Sequence, residues 1–347
     1  MIEFILIAII CFFGTNYAMP RSIKNLEKNG YTARDMYKLD KRLIPTNAGI
    51  IILFTSLIGI ALFPLLIRFL KFITPIHLTI YDLSESHLAI LLVVSIYSIY
   101  GLVDDLVNIG RVMKLILPPV FSFPLIGIIS VSEIWVPFIG TVSLESEVIG
   151  GVFLDDLFRV IIIPLYVMVV ANLVNMHSGY NGLQSGISII IIVTVVLKSY
   201  IDGIIDNIIP VGAFLGSSVA FYRFNRFPSR VFEGNVGSLM FGSIIGSVIV
   251  LQKYWWFGFF ILIPHTLNFL LWIFWLIKMR LEPEIYLTMN GKHQKFGKVN
   301  ENNVIEVPNR LTLKWIPNYY FRIDEKKSVY TMYILTSVFC LVGLIYI

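Results

Sequence analysis

The chain has 347 residues, 57% hydrophobic and only 14% charged, with a mean hydropathy of +0.80 and a formal net charge of +5. Soluble domains carry roughly 25% charged residues, so this composition excludes a water-soluble globular protein and gives no basic tract of the kind that binds nucleic acid. Two isolated cysteines, Cys11 and Cys340, supply neither a disulfide framework nor a metal-ligand spacing and read as small packing residues.

A membrane-spanning helix takes about 20 apolar residues, and ten segments qualify: 1–20, 48–70, 88–107, 113–130, 156–176, 186–200, 203–222, 236–252, 254–278 and 329–347. The first has no positive n-region, Glu3 being its only early charge, and no clear cleavage site, so it reads as a retained helix. The expected fold class is an all-α polytopic membrane protein of about ten transmembrane helices, forming a single domain over 1–347. The connecting loops alternate sides. One set (21–47, 108–114, 177–185, 223–235 and 278–328) holds 22 of the 27 Lys and Arg residues, which places it in the cytoplasm and both termini outside. On the outer side, 131–153 alternates apolar and polar residues around Gly140 and predicts a small hairpin, whose acids Glu133, Glu145 and Glu147 argue for a structural role. The loop region 278–328 is cytoplasmic and basic, with a β-like stretch at Val304–Val307.

Four cytoplasmic loops carry polar clusters at the mouths of apolar helices. The first holds Asp35 and Lys38, followed by Ile44-Pro45-Thr46-Asn47-Ala48-Gly49. The second is Gly101-x-x-Asp104-Asp105-x-x-Asn108, with Lys114 nine residues after Asp105. Adjacent aspartates at a helix end repel one another and in a low dielectric stay ionised only beside a cation, a lysine or a divalent metal. The third runs from Asn172 through Asn175, His177, Gly179, Asn181, Gly182 and Leu183 to Gly186. Buried amides cost several kcal/mol each in hydrocarbon unless they find a polar partner. Gly182 and Gly186 also suit an ordinary turn or close packing, and His177 has no partner visible in sequence. The fourth is Pro228-Ser229-Arg230-Val231-Phe232-Glu233-Gly234-Asn235. Together the clusters point to phosphate chemistry at a membrane surface.

At these residues the chain resembles the polyprenyl-phosphate N-acetylhexosamine-1-phosphate transferases, and is most similar to their eukaryotic and archaeal branch, the UDP-GlcNAc:dolichyl-phosphate GlcNAc-1-phosphate transferases. The matching motifs are G-x-x-DD-x-x-N…K at Gly101 to Lys114, N-x-x-N-x-x-x-G-x-N-G-L at Asn172 to Leu183, and P-S-R-V-F-x-G at Pro228 to Gly234. Arg34, Asp35 and Lys38 resemble the early basic-acidic element. The resemblance departs at Asn235, where the family has a metal-binding Asp, at Thr46, where it has an acid, and in the late basic motif, matched only loosely by Lys292-His293-Gln294-Lys295.

The resemblance implies transfer of GlcNAc-1-phosphate from UDP-GlcNAc to dolichyl phosphate with release of UMP, supported by Mg²⁺ or Mn²⁺. It implies metal ligation by Asn175 and Asn235, and contact of Lys114 with the β-phosphate or acceptor phosphate. Asp104 would serve as base or orienter, and Asp105 would hold Lys114 or the metal shell. Lys292, His293 and Lys295 would meet the diphosphate or sugar, and Asn181, Gly182 and Leu183 the uridine or sugar, with Asn108, Asn172, Arg230, Asp35 and Lys38 completing the substrate contacts. The compartment would be the plasma membrane in a prokaryote or the endoplasmic reticulum in a eukaryote; a homodimer is left open. Breaks at Pro118-Pro119, Gly258 and Pro264 suit a groove for the lipid tail, and equally suit packing kinks. Another UDP-N-acetylhexosamine, an undecaprenyl acceptor, an inactive homologue and a transporter are the alternatives. The transporter fits least, because the polar clusters lie at one surface and no repeat is evident.

Overall fold

In a computed structural model, residues 1–73, 83–110, 112–145, 153–286 and 294–347 are described. The hydropathy pattern becomes helix wherever a run is long and free of breakers. Among the described residues eight helices are long and apolar enough to cross a membrane: α1 (Ile2–Lys28), α2 (Gly49–Ile73), α3 (Glu85–Val107), the helix Leu154–Met176, which carries a π-helical stretch at Phe158–Ile162, and then Leu183–Ile201, Ile205–Asn225, Gly234–Leu251 and Glu325–Tyr346. A ninth span is the pair Trp255–Ile261 and Ile263–Leu281, bent by 63°. Pro264 stands in the first turn of the second member, where its missing N–H costs nothing.

The expected span 113–130 is a correction to the reading of ten full helices. Its α-helix covers only Met113–Phe121, followed by a 3₁₀ turn at Phe123–Leu125. Pro118, Pro119 and Pro124 each remove a backbone donor, and where the helix ends the Ser122 N–H turns to the Pro119 carbonyl while the Pro118 carbonyl accepts from the Tyr97 hydroxyl at 2.7 Å. The chain nonetheless passes from one end of the bundle to the other here. Lys114 pairs with Asp104 at one end, and the Trp135 carbonyl accepts from Trp256 Nε1 at the opposite end. The expected outer hairpin forms there, with Glu133–Val136 antiparallel to Gly140–Ser143. Two further hairpins lie at the charged end. Thr32–Arg34 pairs with Leu43–Pro45, and Lys298–Val299 with Ile305–Glu306, inside the β-like stretch.

Helices meet closely where side chains are small, as expected when lipid supplies no hydrophobic drive. A Cβ on Gly216 would stand 1.9 Å from the Ala8 carbonyl oxygen, and one on Gly242 would stand 2.5 Å from the Ala171 Cα. Hydroxyls stitch α2 to its neighbours: Thr15 meets Thr55 at 2.6 Å, and Ser56 donates to Ser217 at 3.0 Å. The bundle exterior is apolar, with Phe54, Ile58, Leu62, Leu65 and Phe69 all more than half exposed along one face of α2. Cys11 and Cys340 are free, buried thiols.

Candidate active site

All four polar clusters converge on one cavity of about 300 Å³ at the charged end of the bundle, lined by Asp35, Asp105, Asn175, Asn181, Glu233 and Asn235 among others. Backbone pairing brings them together. The carbonyl of Pro45 accepts from Phe232 N–H at 2.8 Å, and the N–H groups of Ala48 and Gly49, at the start of α2, donate to Phe232 and Glu233. The segment before Gly234 is thereby laid along the entry to α2. Gly234 then turns with φ +70°, and a Cβ there would meet Asn47 Oδ1 at 2.4 Å and Asp105 Oδ2 at 2.8 Å. Gly101 admits the other wall, since its Cβ would sit 2.4 Å from the Asn235 carbonyl oxygen.

The aspartate pair divides its work. Asp104 is 7% exposed and fully engaged. Its Oδ1 accepts the Ile109 N–H at 2.9 Å, and its Oδ2 accepts Lys114 Nζ at 2.7 Å and the Asn235 side-chain amide at 3.0 Å. Asp105 accepts the Asn235 N–H on Oδ2 at 2.7 Å and lines the cavity. Lys114 is therefore held by Asp104, not by Asp105. Asn108 closes α3 in the left-handed region at φ 56° and is exposed at the helix end.

The asparagine run also separates into roles. Asn175 lines the cavity and, among the described residues, makes no side-chain hydrogen bond. Asn172 instead bonds its own helix at the Met168 carbonyl, 2.9 Å away. Gly182 adopts φ +76° to start the next helix, with Arg226 packed against it, and Gly186 makes room for Tyr333, so both glycines have structural reasons. Leu183 is wholly buried in the core. His177 is buried against His265, ring centroids 4.7 Å apart, and burial holds its imidazole well below the usual range, hence neutral.

Asp35 and Lys38 belong to a buried ionic cluster whose third member was not legible in the sequence. Lys38 Nζ lies 2.5 Å from Glu325 Oε2 and 3.2 Å from Asp35 Oδ2. Asn181 is the hub. Its N–H donates to Glu325 at 2.6 Å, its side-chain amide donates to Asp35 at 3.2 Å, and its carbonyl oxygen accepts from Ser229 N–H at 2.8 Å. Lys314, also missed, donates to the Ser178 carbonyl at 2.5 Å and lies over the Tyr37 and Tyr180 rings. Burial pushes its ammonium down to about 8, against the pull of Glu325. Glu233, the third omission, accepts from Asn225 at 2.9 Å, and burial pushes its carboxyl up to about 7. The only sequence signal for Glu325 and Lys314 was a charge flanking an apolar helix and a basic residue in a loop, neither of which names a partner 136 or more positions away.

Arg230 does not reach this cavity; it stacks on Phe224, 4.7 Å from its ring centroid, in a neighbouring pocket. Lys295 is exposed beside Phe296, which lines the cavity. Lys292 and His293 lie outside the described residues. Among the described residues no three His, Cys, Asp or Glu side chains cluster as a metal site. Around the aspartate pair the oxygen donors lining the cavity are the Asp105 carboxylate and the Asn175 and Asn235 amides. Such hard oxygens fit an ion that keeps several waters and shares substrate phosphates, the habit of Mg²⁺.

Comparison with known proteins agrees with the geometry. The profile of "Glycosyl transferase family 4" matches residues 87–253, which hold the aspartate pair, the asparagine run and the Asn235 loop. A Sulfolobus acidocaldarius protein provisionally named UDP-N-acetylglucosamine–dolichyl-phosphate N-acetylglucosaminephosphotransferase is 31% identical over 281 residues, 77% of each chain. A Saccharolobus solfataricus protein of the same provisional name is 27% identical over 97% of this chain and 94% of its own. The phospho-N-acetylmuramoyl-pentapeptide-transferase of Streptococcus mutans is 28% identical over 72% of this chain and 73% of its own. The chain belongs to glycosyl transferase family 4, the polyprenyl-phosphate N-acetylhexosamine-1-phosphate transferases, and is a membrane-embedded phosphotransferase.

Proposed function

We propose that the chain transfers GlcNAc-1-phosphate from UDP-GlcNAc to dolichyl phosphate, releasing UMP, with its cavity on the cytoplasmic face. The observation that carries this reading is the union of Asp104, Asp105, Lys114 and Asn235 at the mouth of one polar cavity. The archaeal relatives named for this reaction favour GlcNAc and dolichol. The positive residues crowded at the cavity end favour the cytoplasmic side.

A phosphate oxygen of the lipid attacks the β-phosphorus of UDP-GlcNAc. A new P–O bond forms as the bond to the UMP phosphate breaks, and UMP leaves with the electron pair. Phosphate monoesters are largely ionised near pH 7, so the acceptor needs little help from a base. The physical obstacle is the meeting of two anions. Lys114, held by buried Asp104, would offer fixed positive charge to the phosphates. Asp105, Asn175 and Asn235 would hold Mg²⁺, which when bound supplies Lewis-acid neutralisation of the diphosphate. Asn181, fixed on both sides, would present the donor's nucleotide or sugar to the cavity. The tail would lie in the apolar groove of about 410 Å³ between Leu154–Met176 and the bent pair, whose lining includes Leu173, two residues before Asn175.

The test is product identification by mass spectrometry of the lipid fraction after incubation with UDP-GlcNAc, UDP-GalNAc or UDP-MurNAc-pentapeptide, each with dolichyl or undecaprenyl phosphate. GlcNAc-diphospho-dolichol as the dominant product supports the reading, and preference for another pair reassigns the substrates.

A further inference from the structure

A second pocket, about 540 Å³ in volume, lies beside the first cavity on the other side of Asn181, which lines both. Its walls are the end of the helix Ile209–Asn225, the loop that follows, and the start of the helix Glu325–Tyr346. Four cations point there: Arg223, Arg226, Arg230 and Lys326. Among the described residues none of the four forms an ion pair. Three are held by neutral partners instead, Arg223 by Asn16 Oδ1 at 2.7 Å, Arg230 by the Phe224 ring and Lys326 by the Tyr330 ring. The nearest acid in sequence to Lys326 is Glu325, whose carboxylate is committed to Lys38 and Asn181. Four exposed cations gathered at one pocket that no acid lines form a positive site suited to an anion from outside the chain.

The surface leading away from the pocket says where that anion comes from. Tyr330 lines the pocket and is 50% exposed. Ile334, Val338 and Leu341 continue from it on the same face of the helix toward the opposite end of the bundle, each more than half exposed. A phosphate at the rim with an apolar stripe descending from it matches a two-part molecule, an anionic head on acyl chains. We propose that this pocket binds the phosphodiester headgroup of an anionic membrane phospholipid, with its acyl chains along the Tyr330–Leu341 stripe. The site is separate from the catalytic cavity and stands whether or not the substrates are those given above. Arg226 backs directly onto Gly182, 2.9 Å from where a Cβ would be, so an occupied pocket braces the turn that carries Asn181.

The experiment is native mass spectrometry of the full chain in a zwitterionic detergent, with added phosphatidylglycerol or phosphatidylcholine. The comparison is with Arg226→Gln/Lys326→Gln, and with Lys326→Gln alone, an exposed position in the first turn of its helix that folding does not depend on. The proposal expects preferential retention of phosphatidylglycerol, lowered about ten-fold or more in the double variant and partly in the single one. Equal retention of the two lipids, or an unchanged preference in the variants, would overturn it. A third arm adds inorganic phosphate or UMP to the phosphatidylglycerol complex. Retention of the lipid supports the membrane source, and its displacement would assign the pocket to a soluble phosphate instead.

Discussion

The side-chain amide of Asn235 donates to Asp104 Oδ2 at 3.0 Å, the same oxygen that pairs with Lys114 at 2.7 Å. A residue that the family resemblance marks as an acid is here a neutral donor to an acid. Asn235→Asp would set a third carboxylate against Asp104 and Asp105, and like charges at this distance disfavour the ionised forms. Without divalent metal the variant should unfold at lower temperature than the wild type. With Mg²⁺ the difference should close, and the metal titration of activity should move to lower concentration. Thermal unfolding with and without Mg²⁺ reads both effects, and an unchanged titration would count against Asn235 as a metal ligand.

Lys114 and Asp104 should behave as a coupled pair. Lys114→Met leaves a buried carboxylate with only amide donors, and Asp104→Asn leaves Lys114 without its anchor. The double change should therefore destabilise less than the sum of the two single changes. A double-mutant cycle should return a coupling of about 1–2 kcal/mol, held down by the partial exposure of Lys114. Additive losses would show that the pair is incidental.

Gly234→Ala forces a Cβ into Asn47 Oδ1 and Asp105 Oδ2 at a left-handed backbone position. The strain is on the order of 1–3 kcal/mol. Because one of the displaced atoms is a carboxylate of the cavity, turnover should fall further than stability. A variant with near-normal turnover and lowered unfolding temperature would contradict that.

Glu233 predicts a pH dependence with a definite sign. Its folded carboxyl sits near 7, raised by burial from the ordinary 4.5. Between these values the folded state holds a proton that the unfolded state has released, so stability falls as pH rises through this window. Glu233→Gln should flatten the stability profile between about pH 4.5 and 7. Denaturant midpoints across that range measure it, and parallel slopes in the two proteins would sink the idea.

Much of the fold was written in hydropathy alone. The long apolar runs became helices, and the alternation around Gly140 became a hairpin. The segment 113–130 was as apolar as the others, but its prolines break the ladder, and hydropathy does not count donors. The candidate site was legible where one local motif gathers polar groups, as with Asp104, Asp105 and Asn175, which the fold brings to one end of the bundle. It was illegible where a charge finds its partner only after folding. Glu325 reads as the first turn of an apolar helix until Lys38 and Asn181 arrive from 287 and 144 positions away. Arg230 sits inside a matching motif and yet faces a different pocket, because the loop turns between it and Gly234.

The most direct test of the central claim is UMP release by the purified protein given UDP-GlcNAc, dolichyl phosphate and Mg²⁺, beside Asp104→Asn/Asp105→Asn. The account predicts UMP formation that requires the lipid, the metal and the aspartates together. UMP formed equally well by the double variant, or none formed by folded wild-type protein with any UDP-sugar and polyprenyl phosphate, would contradict it.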